Sequence, residues 1–129
     1  MTATALARNA YHESTRTTAS PRAVERQLLS RLTTALAVAE KNRETSHPAY
    51  VSALSKNLEF WTVIAGDVAS EGNQLPTDLR AQLFYLFEFT RHHTNKVIAG
   101  DKTLTAEPLI EINQNIIKGL KGPEEASGA

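Results

Sequence analysis

Three of the chain's four phenylalanines and one of its three tyrosines fall within residues 84–89. This cluster lies inside a stretch, residues 73–97, whose apolar side chains recur in steps of three and four: Leu79, Leu83, Leu86, Phe87 and Val97, widened by Phe84 and Phe89. That spacing places them on one face of a helix. Pro76 has the φ of a first helical turn and loses no needed N–H there. Asp78 sets a negative charge against the positive end of the helix dipole. A helix this apolar needs neighbours, so it is expected to be the hub of the core. Phe84, Tyr85, Phe87 and Phe89 cannot all point one way, however. Either several helices surround the hub, or part of its surface receives a partner helix.

The rest of the chain supplies the neighbours. Ser20-Pro21 reads as an N-cap followed by a first-turn proline, opening a helix from residue 21 to about 42. Its expected stripe is Val24, Leu28, Leu32, Ala35 and Ala39, flanked by Leu29 and Leu36, with Arg22, Arg26 and Arg31 mostly off it. Pro48 restarts the chain, and a second helix covers about residues 48–70 through Val51, Leu54, Leu58, Trp61, Ala65 and Val68. Trp61, the only tryptophan, sits on that seam and reads as a core anchor. Asn57, one turn earlier, has two readings. Buried, it must find hydrogen-bond partners and would fix helix register or pin a loop; exposed, it does neither. Gly72 is the candidate residue just past the helix end. The hub helix ends near Gly100, Thr105 is the next N-cap candidate, and a last helix spans about 106–120 with Leu109, Ile112 or Asn113, Ile116, Ile117 and Leu120. Gly122-Pro123 stops it.

No run alternates apolar and polar residues between turn signals, so no strand is expected. Residues 1–19 read as a flexible arm with room for a short fifth helix, because residues 14–18 compete for backbone hydrogen bonds. Residues 122–129 read as a disordered tail. The fold class is all-α: a compact bundle of four main helices forming one domain over residues 20–121.

Function is narrowed mainly by what is missing from the sequence. The chain has 129 residues with 14 basic and 14 acidic side chains, a balance that argues against RNA or an anionic membrane as a dominant partner. The arginines also cluster in the first third, away from the aromatics, so no basic face with interleaved aromatics forms. There is no cysteine. No apolar run approaches the ~20 residues of a membrane span, and no signal-peptide core opens the chain, so a cytoplasmic location is expected. Glu88 and His92 are one helical turn apart, but no second histidine shares their face and no other ligands complete a metal site. No phosphate loop, nucleophile elbow or positioned carboxylate pair occurs. No enzyme activity, metal or cofactor is expected.

Five motifs in order carry a resemblance: Ser20-Pro21-Arg22-x-x-Glu25, Asn57-x-x-x-Trp61, Asn73-x-Leu75-Pro76-x-x-Leu79-Arg80, His93-Thr94, and Leu109-Ile110-x-Ile112-Asn113-x-x-Ile116-Ile117-x-Gly119-Leu120. In this order and spacing the chain resembles FlaF, the family of flagellar biosynthesis regulators of alphaproteobacteria, over about residues 10–121. Leu58 stands where that family often has a basic residue. The resemblance implies a cytoplasmic, non-enzymatic protein of bacterial flagellum biogenesis, needed for flagellin synthesis and export. It implies flagellin as the partner, with the chain acting as a secretion chaperone or adaptor, and FlbT, a repressor of flagellin translation, as a counterpart. On this reading Trp61, Phe84 and Phe89 line or support an apolar groove, Arg80 pairs with an acid or caps the loop before it, Asn57 and Asn113 tie helices together, and Leu75 belongs to the same protein-binding region. The alternatives are a translational regulator contacting flagellin mRNA through Arg16, Arg22, Arg26 and Arg31, which the charge balance disfavours, and action only through FlbT.

Overall fold

The computed structural model describes residues 21–120, with side chains from 25 to 119. They form four helices, α1 (Pro21–Lys41), α2 (His47–Ala69), α3 (Thr77–Ile98) and α4 (Glu107–Leu120), and no strand occurs among the described residues. The all-α, four-helix reading therefore stands. The arm expected over residues 1–19, the short helix within it, the Ser20 cap and the tail expected over 122–129 lie outside the described residues.

Helix ends follow local chemistry, with two corrections. Pro76 is the residue before α3 rather than its first helical residue (φ −54°, ψ 146°), and Asp78 lies in the first turn. Gly72 has no left-handed backbone: among the described residues Gly100 alone has positive φ, at 102°. Gly100 closes α3 in a Schellman motif, in which the Asp101 N–H bonds the Lys96 carbonyl and the Gly100 N–H bonds the Val97 carbonyl, both at 3.1 Å. α2 instead ends at an extended Ser70 (φ −75°, ψ 149°) and borrows its cap from a side chain of α3, described below.

The expectation that α3 is the hub is not met. α2 is the central helix, packing against both α1 and α3; α1 also packs along α4, whereas α3 has α2 as its main neighbour. The apolar core consists of Leu36, Ala39, Tyr50, Leu54, Val97, Ala106, Leu109 and Ile110, to which α3 contributes only Val97. The reason is positional. Residues buried from α3 are Thr90, His93, Thr94 and Val97, all in its second half. Among the described residues α2 is the one helix that packs extensively on α3, and no residue of the aromatic first half is fully buried.

The face of α1 is also rotated from expectation. Leu29, Thr33, Leu36, Ala39 and Glu40 are buried, while Leu28 and Ala35 are exposed. Counting apolar residues misses this because two polar side chains belong to the buried face and are satisfied there. The Thr33 hydroxyl donates to the Leu29 carbonyl at 2.6 Å. One carboxylate oxygen of Glu40 accepts from the Tyr50 hydroxyl at 2.7 Å and from the Ala106 N–H at 2.7 Å. Its other oxygen accepts from Arg43. Glu40 thus clasps the end of α1 to the starts of α2 and α4. A buried carboxylate is tolerated when donors surround it in this way. Thr105, the expected N-cap, accepts the Glu107 N–H through its hydroxyl at 3.3 Å, so the start of α4 is held by two side chains.

Candidate functional site

α3 concentrates the large apolar side chains that the fold leaves open. From residue 77 to 89 no side chain is fully buried, although this half holds Leu79, Leu83, Leu86, Phe84, Phe87, Phe89 and Tyr85. Leu79, Phe84 and Phe89 each retain 38% of their exposure and Tyr85 retains 66%. Single exposed apolar residues are ordinary on a protein surface, but a run of this kind along one helix marks a place for another apolar surface.

The run divides into two flanks. Phe84 and Phe89, expected to share one groove, are five residues apart and so about 140° apart around the helix. On one flank the Phe84 and Phe87 rings meet edge to face at 5.6 Å, and the Arg91 guanidinium lies over the Phe87 ring at 5.9 Å. On the other, Phe89 stacks on His93, with centroids 5.5 Å apart and planes inclined by 20°. His93 Nε2 donates to the Thr105 carbonyl at 2.7 Å, which ties that flank to the loop before α4. The carbonyl can only accept, so the proton sits on Nε2.

The other expected site residues lie beneath or beside this surface. Trp61 is buried and donates from Nε1 to Asn113 Oδ1 at 3.0 Å. Asn113 Nδ2 in turn donates to Asn57 Oδ1 at 2.7 Å, and both asparagines are fully buried. This chain of hydrogen bonds joins α2 to α4. The three residues are placed to support α2, on which α3 rests, and none of them lines a groove. Arg80 is likewise a support: its Nε donates to the Val68 carbonyl at 2.8 Å and Nη2 to the Ser70 carbonyl at 3.3 Å. It thereby satisfies carbonyls that the end of α2 leaves without helical partners. Asn73 fixes the same turn, accepting the Leu75 N–H at 3.0 Å and donating to the Asp67 carbonyl at 3.1 Å, with Leu75 half-buried.

The α2–α3 interface is unusual in its polarity. Asn57 Nδ2 and the hydroxyls of Thr90 and Thr94 are buried and have no partner among the described residues. Two anchors fix the register there. Arg80 reaches Val68 at one end, and Val97 joins Tyr50 and Leu54 in the core at the other. Asn57 therefore stands level with the turn that carries Thr90 and Thr94.

Sequence reasoning missed Arg91 over Phe87, the His93–Thr105 tie and the Glu40 clasp. The first had a signal, since Phe87 and Arg91 are four residues apart on a helix. The other two join residues distant in sequence and had none. Among the described residues no group of three or more His, Asp or Glu side chains is arranged to hold a metal ion, and no helix is long and apolar enough to cross a membrane. The surface is a row of partly exposed apolar side chains along one helix, suited to contact with another apolar element.

Among known proteins, a family model described as flagellar protein FlaF matches residues 7–120, most of the chain. No curated protein matches the chain, and no solved structure does.

Proposed function

The chain belongs to the FlaF family of flagellar proteins, and from that premise we propose that it acts without catalysis as a flagellin-binding secretion chaperone or adaptor that promotes flagellin synthesis and export in the cytoplasm. One observation carries the reading: the first half of α3 keeps three leucines, three phenylalanines and a tyrosine out of the core. An export chaperone must cover apolar segments of its client until they are handed on. An amphipathic helix laid on an apolar helical face does this without a preformed cavity. The supports beneath α3 suit the task. Arg80 and Asn73 fix the turn from which α3 projects, and the Trp61–Asn113–Asn57 chain stiffens the helix that carries it.

The test is co-elution of the purified protein with purified flagellin on a sizing column, at low and high salt, without FlbT or RNA. A complex that persists at high salt is expected, because apolar contact is not screened as charge contact is. Absence of a complex overturns direct flagellin binding and makes FlbT the partner to examine next. A complex that dissolves steeply with salt overturns the apolar interface.

A further inference from the structure

Of the two open flanks of α3, only one is free of structural duty. Phe89 is stacked on His93, and His93 is held by the Thr105 carbonyl, so that flank is engaged in closing the loop before α4. Tyr85 on the same side carries a hydroxyl that solvent satisfies. The opposite flank presents Phe84, Phe87, Arg91 and Ile98, at steps of three, four and seven, along about 21 Å of helix. Phe84 and Ile98 remain more than a third exposed, and Phe87 is half-buried. Arg91 lies over Phe87 and forms no ion pair among the described residues, Glu88 one turn away included.

We infer that the partner helix docks along the Phe84–Phe87–Arg91–Ile98 flank and sets a carboxylate against Arg91. The inference rests on the reading above that the open apolar surface of α3 binds an apolar client, and it adds the flank, which runs on into the second half of the helix, and the charge. The physical case is complementarity. Two edge-to-face rings, one of them lying under the guanidinium, give an apolar platform whose side chains already contact one another before a partner arrives. The guanidinium is planar and weakly hydrated, and it keeps donors free for an incoming carboxylate while its π-facing side covers Phe87. Aromatic residues and arginine are the types that dominate interface energetics. A client helix with an aspartate or glutamate at the edge of its apolar stripe fits this flank; one bearing lysine there is repelled.

The test compares single variants in titrations against purified flagellin. Phe84→Ala and Arg91→Glu are each expected to weaken binding by about tenfold or more, and Tyr85→Ala by less than about threefold. Thermal unfolding of each variant, expected to stay close to that of the unaltered protein, shows that the fold is intact. Normal binding by Phe84→Ala and Arg91→Glu overturns the inference while leaving flagellin binding itself in place. Equal losses at Tyr85 overturn the choice of flank. Failure of the unaltered protein to bind overturns the chaperone reading, and this inference with it. A dimer of the protein that Phe84→Ala dissociates assigns the flank to self-association and also overturns it.

Discussion

Residues 77–89 of α3 carry three leucines, three phenylalanines and a tyrosine and bury none of them completely, whereas residues 90–98 bury two threonines, a histidine and one valine. Composition alone would reverse the two. The difference shows that burial is allotted by neighbours, not by hydrophobicity. The second half of α3 reaches the core residues of α1, α2 and α4 through Val97 and the loop before α4 through His93. The first half has no fully buried residue, and α2 is the one described helix that packs extensively on α3. What the fold spends its own packing on is therefore the polar half, and the apolar half is left for contact with something else.

This contrast is open to direct attack by substitution. His93→Ala removes the hydrogen bond to Thr105 and the stack under Phe89, and leaves a carbonyl without its donor. It is expected to lower unfolding stability by about 2–3 kcal/mol. Phe84→Ala, in the apolar half, is expected to cost less, about 1 kcal/mol, since a ring that keeps 38% of its exposure gives up only part of the transfer energy of a core side chain. Urea unfolding of both variants checks the pair. Equal losses would mean that the two halves share the load and that the aromatic flank is core.

Much of the fold was legible in the sequence. Helix starts at Pro48 and Pro76 and the stop at Gly100 follow from rules that need only a few adjacent residues, and each lies within about a residue of where it was expected, α3 beginning just after Pro76. The seam of α2 was also readable, because Leu54, Trp61, Ala65 and Val68 are buried as spaced. The choice of hub was not. Periodicity says which face of a helix is apolar and is silent on whether a neighbour arrives to cover it. The rotation of α1 was missed for a related reason: Glu40 looks like a surface residue until Tyr50, Arg43 and Ala106 are brought to it, and Ala106 is far away in sequence. At the candidate site, Trp61, Asn57, Asn113 and Arg80 were picked out as a group, but residue type could not separate supports from surface. Arg80 in particular is turned back onto the end of α2.

The Glu40 clasp sharpens the comparison from the buried side, because it is a polar cluster in which every partner is supplied. Burial raises the Tyr50 pKa well above its usual value, and the hydrogen bond to the Glu40 carboxylate raises it further. A group whose pKa is higher folded than unfolded contributes stability in full below its unfolded pKa, about 10 for tyrosine. That contribution is lost as pH rises above it, since ionised Tyr50 cannot donate to a carboxylate. Stability is therefore expected to fall from about pH 10 upward, and Tyr50→Phe is expected to lower stability near neutrality by about 1 kcal/mol and to remove this part of the alkaline loss. Chemical unfolding at a series of pH values reads both. An unchanged alkaline profile in Tyr50→Phe would place the sensitivity elsewhere.

The smallest expected effect discriminates most finely between the two kinds of buried polar group. Thr94 is fully buried on α3, and its hydroxyl has no partner among the described residues. Thr94→Val swaps that hydroxyl for a methyl of nearly the same shape. Where a buried hydroxyl is unpaired, the exchange removes a desolvation cost and keeps the packing, so stability is expected to stay within about 0.5 kcal/mol or to rise. Where the hydroxyl is instead paired, through an ordered water shared with Asn57 and Thr90, the exchange strands those partners and costs about 1–3 kcal/mol. Urea unfolding separates the two outcomes. A gain would mean that α3 carries unsatisfied polarity against α2 that packing does not require, and that its hold on α2 is weaker than burial alone suggests. A loss would mean that the polar half of α3 is fastened by a hydrated network, with the open apolar half extending from a rigid base.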